Sequence, residues 1–330
     1  MQLTSSNYLQ KITKISSGEA FTQLSLEVFD YQYKNVYIYR DYCQLIGRTN
    51  PKELREIPFL PIEFFKNHDI NAETKNFEAL FKSSGTTNAQ RAQHFVKDLS
   101  IYETVSKLAF ESFFGPLTDF VIFALLPNYI EQGESSLIYM VNHLIKCSKN
   151  QNSGFYLNDL DTLLINIKLA KKQNKKVMLF GVSYALMDLA EQAVDLSDVY
   201  VIETGGMKGR RQEMPKEALH EFLRKGLNLD AIYSEYGMTE LLSQAYCKNA
   251  QPFTTPPWMK VLIREANDPF TFLSENSLKS GGVSVIDLAN LYSCAFIHTQ
   301  DLGRYEGNGF QLLGRFDHSD IRGCNQLVWG

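Results

Sequence analysis

The sequence predicts an α/β protein: mainly parallel β-sheet flanked by helices, with a smaller β-rich part behind it. Three observations predict this. Four short apolar runs rich in Val, Ile, Phe and Tyr read as buried strands: DFVIFALLP, KKVMLFGV, DVYVIETGG and LDAIYSEYG. Helix-length stretches separate them, and strand–helix alternation of this kind favours parallel pairing with helices on both faces. After a proline-rich loop, AQPFTTPPW, turn residues recur every few positions and helical period is lost.

The elements follow in order. Residues 1–80 read as a helical, aromatic-rich cap. FTQLSLEVFDYQYKNVYIYRDYCQLI has helical spacing of large apolar residues, whereas IPFLPIEFFKNHDI is broken by Pro58 and Pro61 and reads as extended or looped. Residues 81–250 read as the α/β core. SSLIYMVNHLIKCSK carries Leu137, Ile138, Met140, Val141, Leu144 and Ile145 as one stripe; DLDTLLINIKLAKKQ, SYALMDLAEQAV and PKEALHEFLRKG are likewise helical, with Pro215 suited to a first turn. Residues 251–330 form the β-rich subdomain. There is no internal repeat and no low-complexity tract.

Bulk properties exclude several classes. With 330 residues the chain can bury a large core, and 44% hydrophobic with 21% charged residues describes a globular protein. A net charge of −4 offers no basic field for nucleic acid. The N-terminus lacks the apolar segment of a signal peptide, and Phe120–Leu126 is too short to span a bilayer. The five cysteines, Cys43, Cys147, Cys247, Cys294 and Cys324, are scattered, without zinc-like spacing or a disulfide framework. A cytoplasmic location is expected, and nothing in the sequence precludes a homo-oligomer.

In α/β sheets ligands bind outside the carboxyl ends of strands, so the loops there are the ones to read. SSGTT, Ser83 to Thr87, surrounds Gly85 with hydroxyls, a composition that lets backbone and side chains donate to an anion. VIETGGMKGRR places Gly205 and Gly206 after a strand and then Lys208, Arg210 and Arg211. YSEYGMTE offers the Tyr236 ring, Gly237, the Thr239 hydroxyl and the Glu240 carboxylate. Asp301 stands at a probable strand end, and Arg315 lies in a tight turn within GRFD. Each stretch by itself also describes an ordinary turn, YGMTE in particular one that opens a helix TELLSQAYC.

In this order, SSGTT, the glycine pair, YGMTE, TQDLGR and GRFD resemble the adenylate-forming (acyl-CoA synthetase-like, phenylacetate-CoA ligase-like) superfamily. More narrowly, IPFLPIEFFK, SSGTT, VIETGGMKGRR, SEYGMTELLSQAY and GRFDHSDIRGC resemble the LuxE-type acyl-protein synthetases, from about residue 55 to the end. The resemblance implies the fold of those enzymes' N-terminal domain and an ATP- and Mg²⁺-dependent ligase. Such an enzyme converts a carboxylic acid, here a fatty acid, to acyl-AMP and pyrophosphate, then passes the acyl group to a cysteine or to a partner such as a reductase or carrier protein.

The resemblance also implies roles. Ser83, Ser84, Gly85, Thr86 and Thr87 would bind phosphate. Gly205, Gly206, Tyr236 and Gly237 would hold adenine, Thr239 the α-phosphate and Glu240 Mg²⁺. Asp301 and Arg315 would hold the ribose. Only thirteen residues follow Asp317, the hinge position, so the large C-terminal domain and its catalytic lysine are expected to be absent. Lys208 and Arg211 are candidates to replace that lysine, an acyl-CoA ligase is an alternative, and Cys324 is the candidate acyl acceptor.

One rival remains. GVSYA, with Ser183 between a strand and a helix, approximates a nucleophile elbow, and Asp287 and His298 follow in the order of an α/β-hydrolase triad. That esterase reading leaves SSGTT, YGMTE and GRFD without a role. His94 reads as a strand-face or substrate-side histidine, and His220 as surface.

Overall fold

The protein is seen in a computed structural model that describes residues 5–72, 76–84, 90–126, 133–157, 159–205 and 214–316. Gly85, Thr86, Thr87, Gly206, Lys208, Arg210, Arg211, Asp317 and Cys324 lie outside the described residues.

The main sheet is α/β and largely parallel, with helices on its faces. Its strands are β4 (Phe120–Leu125), β5 (Gly154–Phe155), β6 (Lys176–Val182), β7 (Val199–Thr204), β8 (Ile232–Tyr236) and β9 (Ala245–Lys248), in the order β5-β4-β6-β7-β8-β9. All pairs are parallel except β8–β9. β4 and β6 lie inside the sheet under helices, and their continuous apolar sequence follows from burial on both faces.

The crossovers are α6 (Ser136–Ser148), α7 (Leu160–Lys172), α8 (Ser183–Ala190) and α9 (Lys216–Gly226). Ser135 and Asp159 cap α6 and α7 by accepting from the backbone of Ile138 and Thr162. α5 (Leu99–Phe114) precedes β4 and is capped by Asp98.

Two further sheets complete the fold. β2 (Ala79–Lys82) and β3 (Gln93–Val96) form an antiparallel pair. The other sheet has β1 (Leu60–Pro61), β10 (Met259–Arg264), β11 (Gly281–Asp287), β12 (Phe296–Glu306) and β13 (Gly309–Arg315). β12 is paired with β11 along one edge; on the other, β1 covers its first residues and β13 its last.

The aromatic N-terminal segment forms α1 (Ser5–Thr13), α2 (Gly18–Asn35) and α3 (Tyr37–Leu45), with the chain turning at extended Val36 rather than running on as one helix. α4 (Phe64–Asn67) follows β1. The N-terminal helices are bonded to the C-terminal sheet's turns. Gln32 Nε2 donates to the carbonyls of Asn290 and Leu291, Gln32 Oε1 accepts from Ala295 N, and the Tyr8 hydroxyl donates to the Leu288 carbonyl. Among the described residues no helix is long and apolar enough to cross a membrane.

Candidate active site

The site lies where β7 and β8 end. Gly205 follows β7 at φ 75°, a conformation that favours glycine. The Thr204 hydroxyl donates to Glu235 Oε2. Gly237 follows β8, and a Cβ on it would stand 2.3 Å from Glu235 Oε1 and 3.5 Å from Gln244 Cγ. The backbone therefore sits directly over these two side chains.

Tyr236, Asp301 and Arg315 come together from β8, β12 and β13. The Tyr236 hydroxyl donates to Asp301 Oδ2 at 2.8 Å, and Arg315 Nε lies 3.4 Å from Asp301 Oδ1. Antiparallel register places Asp301 opposite Arg315. Phe253 and Phe310 pack on the Tyr236 ring, with centroids 5.8 and 5.4 Å away, and leave it only 6% exposed. Burial raises the Asp301 pKa, opposed by Tyr236 and Arg315.

Thr239 and Glu240 stand in a turn and not in the first turn of a helix. TELLSQAYC is irregular chain leading into β9, so the helix read there from sequence is not formed. Asp287 replaces the helix as the organiser. Its carboxylate accepts from Leu242 N at 2.8 Å, Ser243 N at 2.9 Å, Ser243 Oγ at 2.6 Å and Ala289 N at 3.1 Å. Neighbouring elements then pin the turn: His94 Nδ1 donates to the Thr239 carbonyl at 2.8 Å, and Asn290 Nδ2 to the Glu240 carbonyl at 2.7 Å.

Burial lowers the His94 pKa to about 4, so its ring is neutral at pH 7 and carries its proton on Nδ1. Glu240 is buried, with burial pushing its pKa up to about 7 against the pull of its own N–H, Arg315 and Lys66. Among the described residues no Lys or Arg lies within ion-pair distance of it.

Ser83 and Ser84 follow β2. Ser83 closes the β2–β3 hairpin: its hydroxyl accepts from Ala92 N at 2.9 Å and its carbonyl from Arg91 Nε at 2.5 Å. Ser84 lines a cavity of about 150 Å³ together with Thr239, Thr204, Gly205, Glu235, Gly237 and Gln244. The opposite side of that cavity is the start of α6, with Ser135, Ser136, Leu137 and Met140. Glu235 is half-buried and lines the cavity, and burial raises its pKa to about 7.

The structure does not assemble the hydrolase triad. Ser183 Oγ donates to Glu203 Oε2 at 3.1 Å, and Glu203 also faces Lys216 at 3.2 Å and His220 at 3.5 Å. Burial opposes the ionisation of Glu203, but Lys216, His220 and Ser234 outweigh it and take the pKa down to about 2. His220, read from sequence as surface, is buried and bonded to Ser234 Oγ at 3.0 Å. His298 is bonded to Ser284 at 2.7 Å and stacked on Phe59, while Asp287 anchors the Thr239 turn. A serine whose hydroxyl faces a carboxylate, with no histidine as base, is not an activated nucleophile.

No protein-family profile matches the sequence, and no curated protein matches it. Solved structures do. The chain is similar to 2-hydroxyisobutyryl-CoA ligase in complex with 2-HIB-AMP and CoA in the thioesterification state. The TM-score is 0.65 at 10% identity, covering 96% of this chain and 73% of that one. An open conformation of the same ligase gives 0.64 at 9% identity, over 96% and 80%. ATP-bound MatB from Rhodopseudomonas palustris gives 0.54 at 14% identity, over 74% and 49%. At these identities the likeness is one of fold: the chain has the α/β fold of the N-terminal part of adenylate-forming enzymes. It spans about half the length of MatB.

Proposed function

We propose that the chain activates a carboxylic acid with ATP. The observation that carries this reading is the convergence of Tyr236–Asp301–Arg315 and Thr239–Glu240 around strand ends that adjoin one small cavity. Asp301, already accepting from Tyr236 and facing Arg315, is suited to receive ribose hydroxyls. Tyr236 and Gly205 flank the place for adenine. The Thr239 hydroxyl donates to the α-phosphate, and Ser84 with the rest of SSGTT to the outer phosphates. A carboxylate oxygen of the acid bonds to the α-phosphorus as the bond to the bridging oxygen breaks. Pyrophosphate leaves and acyl-AMP remains. Such a displacement needs positioning and charge stabilisation more than a protein base.

Glu240 fits Mg²⁺, which commonly takes one or two carboxylates plus substrate phosphates. Its buried carboxyl, with a pKa of about 7, has no cationic partner at ion-pair distance among the described residues. Mg²⁺ bound there supplies charge neutralisation for the phosphates. In the second step the Cys324 thiolate attacks the acyl carbonyl of acyl-AMP; a thioester forms and AMP departs, before transfer to a reductase or carrier protein. Lys208 and Arg211, beside the glycine pair in sequence, are the cations assigned to the charge that develops on the phosphates. The motif resemblance supports these finer roles.

Pyrophosphate release from Mg²⁺-ATP, with hydroxylamine trapping of the activated acid, tests the reading. Thr239→Val and Glu240→Gln each lower the rate about 100-fold or more. Cys324→Ser leaves release intact and abolishes acyl retention on the protein. A wild-type rate in Glu240→Gln sinks the assignment.

A further inference from the structure

Gln32 interrupts an apolar stripe. Phe21, Leu24, Val28 and Phe29, with the small Ser25, share the buried face of α2, and Gln32 continues that face at helical spacing, fully buried. A buried amide is destabilising unless its donor and acceptor both find partners. Here both do: Nε2 donates to the carbonyls of Asn290 at 2.7 Å and Leu291 at 3.0 Å, and Oε1 accepts from Ala295 N at 3.1 Å. A satisfied buried network of this kind holds one geometry.

That geometry leads to Glu240. The Asn290 carbonyl takes the Gln32 bond and a longer one, 3.3 Å, from Ser293 N, while the Asn290 N–H donates to the Asp287 carbonyl. With its backbone held at both groups, the buried Asn290 directs Nδ2 to the Glu240 carbonyl at 2.7 Å. A planar peptide bonded through its carbonyl is fixed in orientation, and the side chain beside it leaves the backbone in one direction. On the far side of Glu240, Asp287 accepts from the N–H groups of Leu242 and Ser243. The Glu240 turn is thus held by the connection between β11 and β12, and α2 holds that connection.

Taking Glu240 as the Mg²⁺ carboxylate of the proposed function, on which this inference rests, we propose that Gln32 is a positioning residue of the metal site: acting through Asn290, it sets the direction of the Glu240 carboxylate. The helical segment before residue 55, which the motif resemblance does not reach, thereby gains a part in nucleotide binding. Groups that orient a metal's ligands from behind are commonly worth about 10–100-fold in metal affinity.

The test separates position from stability. Calorimetry measures ATP binding, with no acid present, in Mg²⁺ and in EDTA; the ratio of the two affinities is the metal's contribution, and a thermal melt accompanies each variant. The wild-type ratio favours Mg²⁺, and Glu240→Gln removes that advantage. Asn290→Leu, close in shape, is expected to cut the ratio about tenfold or more, and Gln32→Met about threefold or more, with affinity in EDTA near wild type. Added to Asn290→Leu, Gln32→Met lowers the unfolding temperature further but leaves the ratio where it was, because the route through residue 290 is already cut. Leu24→Ala, a cavity on the same face of α2, lowers the unfolding temperature without moving the ratio. If Gln32→Met behaves like Leu24→Ala while Glu240→Gln is effective, the inference is overturned and the role of Glu240 stands. Additive losses in the double variant also overturn it. A wild-type ratio of one, or a ratio that Glu240→Gln leaves unchanged, overturns the metal assignment and the inference together.

Discussion

A methyl group at Gly237 would meet Glu235 Oε1 at 2.3 Å, and the end of a flexible side chain can move aside. Gly237→Ala therefore costs little stability yet displaces a cavity oxygen. The expected outcome is weaker nucleotide binding, about tenfold or more, with an unfolding temperature close to wild type. Nucleotide titration with a thermal melt checks it; unchanged ATP affinity would place the nucleotide away from Gly237. The placement of Tyr236, Thr239, Asp301 and Arg315 in strands and at a turn was legible in the sequence because local pattern marks those elements. Gln244 and Asp287 were not. Gln244 packs under Gly237, and Asp287 reaches the Thr239 turn from a strand more than forty residues away, contacts that no local spacing encodes.

Strands β4, β6 and β7 were readable because burial under helices demands nearly continuous apolar residues, whereas β8 shows through its alternation of buried and half-buried positions. The stretch after YGMTE misleads because Leu241, Leu242 and Ala245 carry a helix-like period, while Asp287 supplies backbone partners that draw the segment into an irregular turn. Tertiary bonds override propensity there. Within β11, Gly282 lies where a Cβ would fall 1.0 Å from Arg264 Nη1. The Arg264 guanidinium donates to the Thr299 carbonyl at 3.1 Å, three residues beyond β12's start, and faces the Phe316 ring at 5.3 Å, just past the end of β13. Gly282→Ala expels that group, and a loss of about 2 kcal/mol is expected from urea unfolding. Unchanged stability would mean that the guanidinium contributes nothing there.

Across the whole molecule, buried titratable groups set the pH response. Glu235 and Glu240, held near 7 against an ordinary 4.5, contribute stability that is full below 4.5 and lost as pH rises through about 7. His94 and His298, lowered to about 4 and about 3, contribute stability that is full above 6.5 and lost as pH falls through those values. Between 6.5 and 4.5 the two pairs oppose each other. Below 4.5 the carboxyls no longer compensate, and Glu203, held at about 2, adds its own loss. Asp287 and Asp301, also raised by burial, side with the glutamates, so urea unfolding should show stability held or gained as pH falls from 6.5 to 4.5 and lost at lower pH through the histidines and Glu203. A steady decline starting at 6.5 would contradict this balance.

The bonds from Gln32 and Tyr8 to residues 288–295 join parts of the chain separated by 258 to 280 positions. On the ribosome, at about 5–20 residues per second, α2 waits roughly ten seconds to a minute for its partners to be synthesised. Until then the buried Gln32 amide and Tyr8 hydroxyl are without the backbone groups of residues 288–295 that they bond. Helices α1 and α2 thus settle only after residues 288–295 have emerged, and nascent chains stay protease-sensitive over these helices until then.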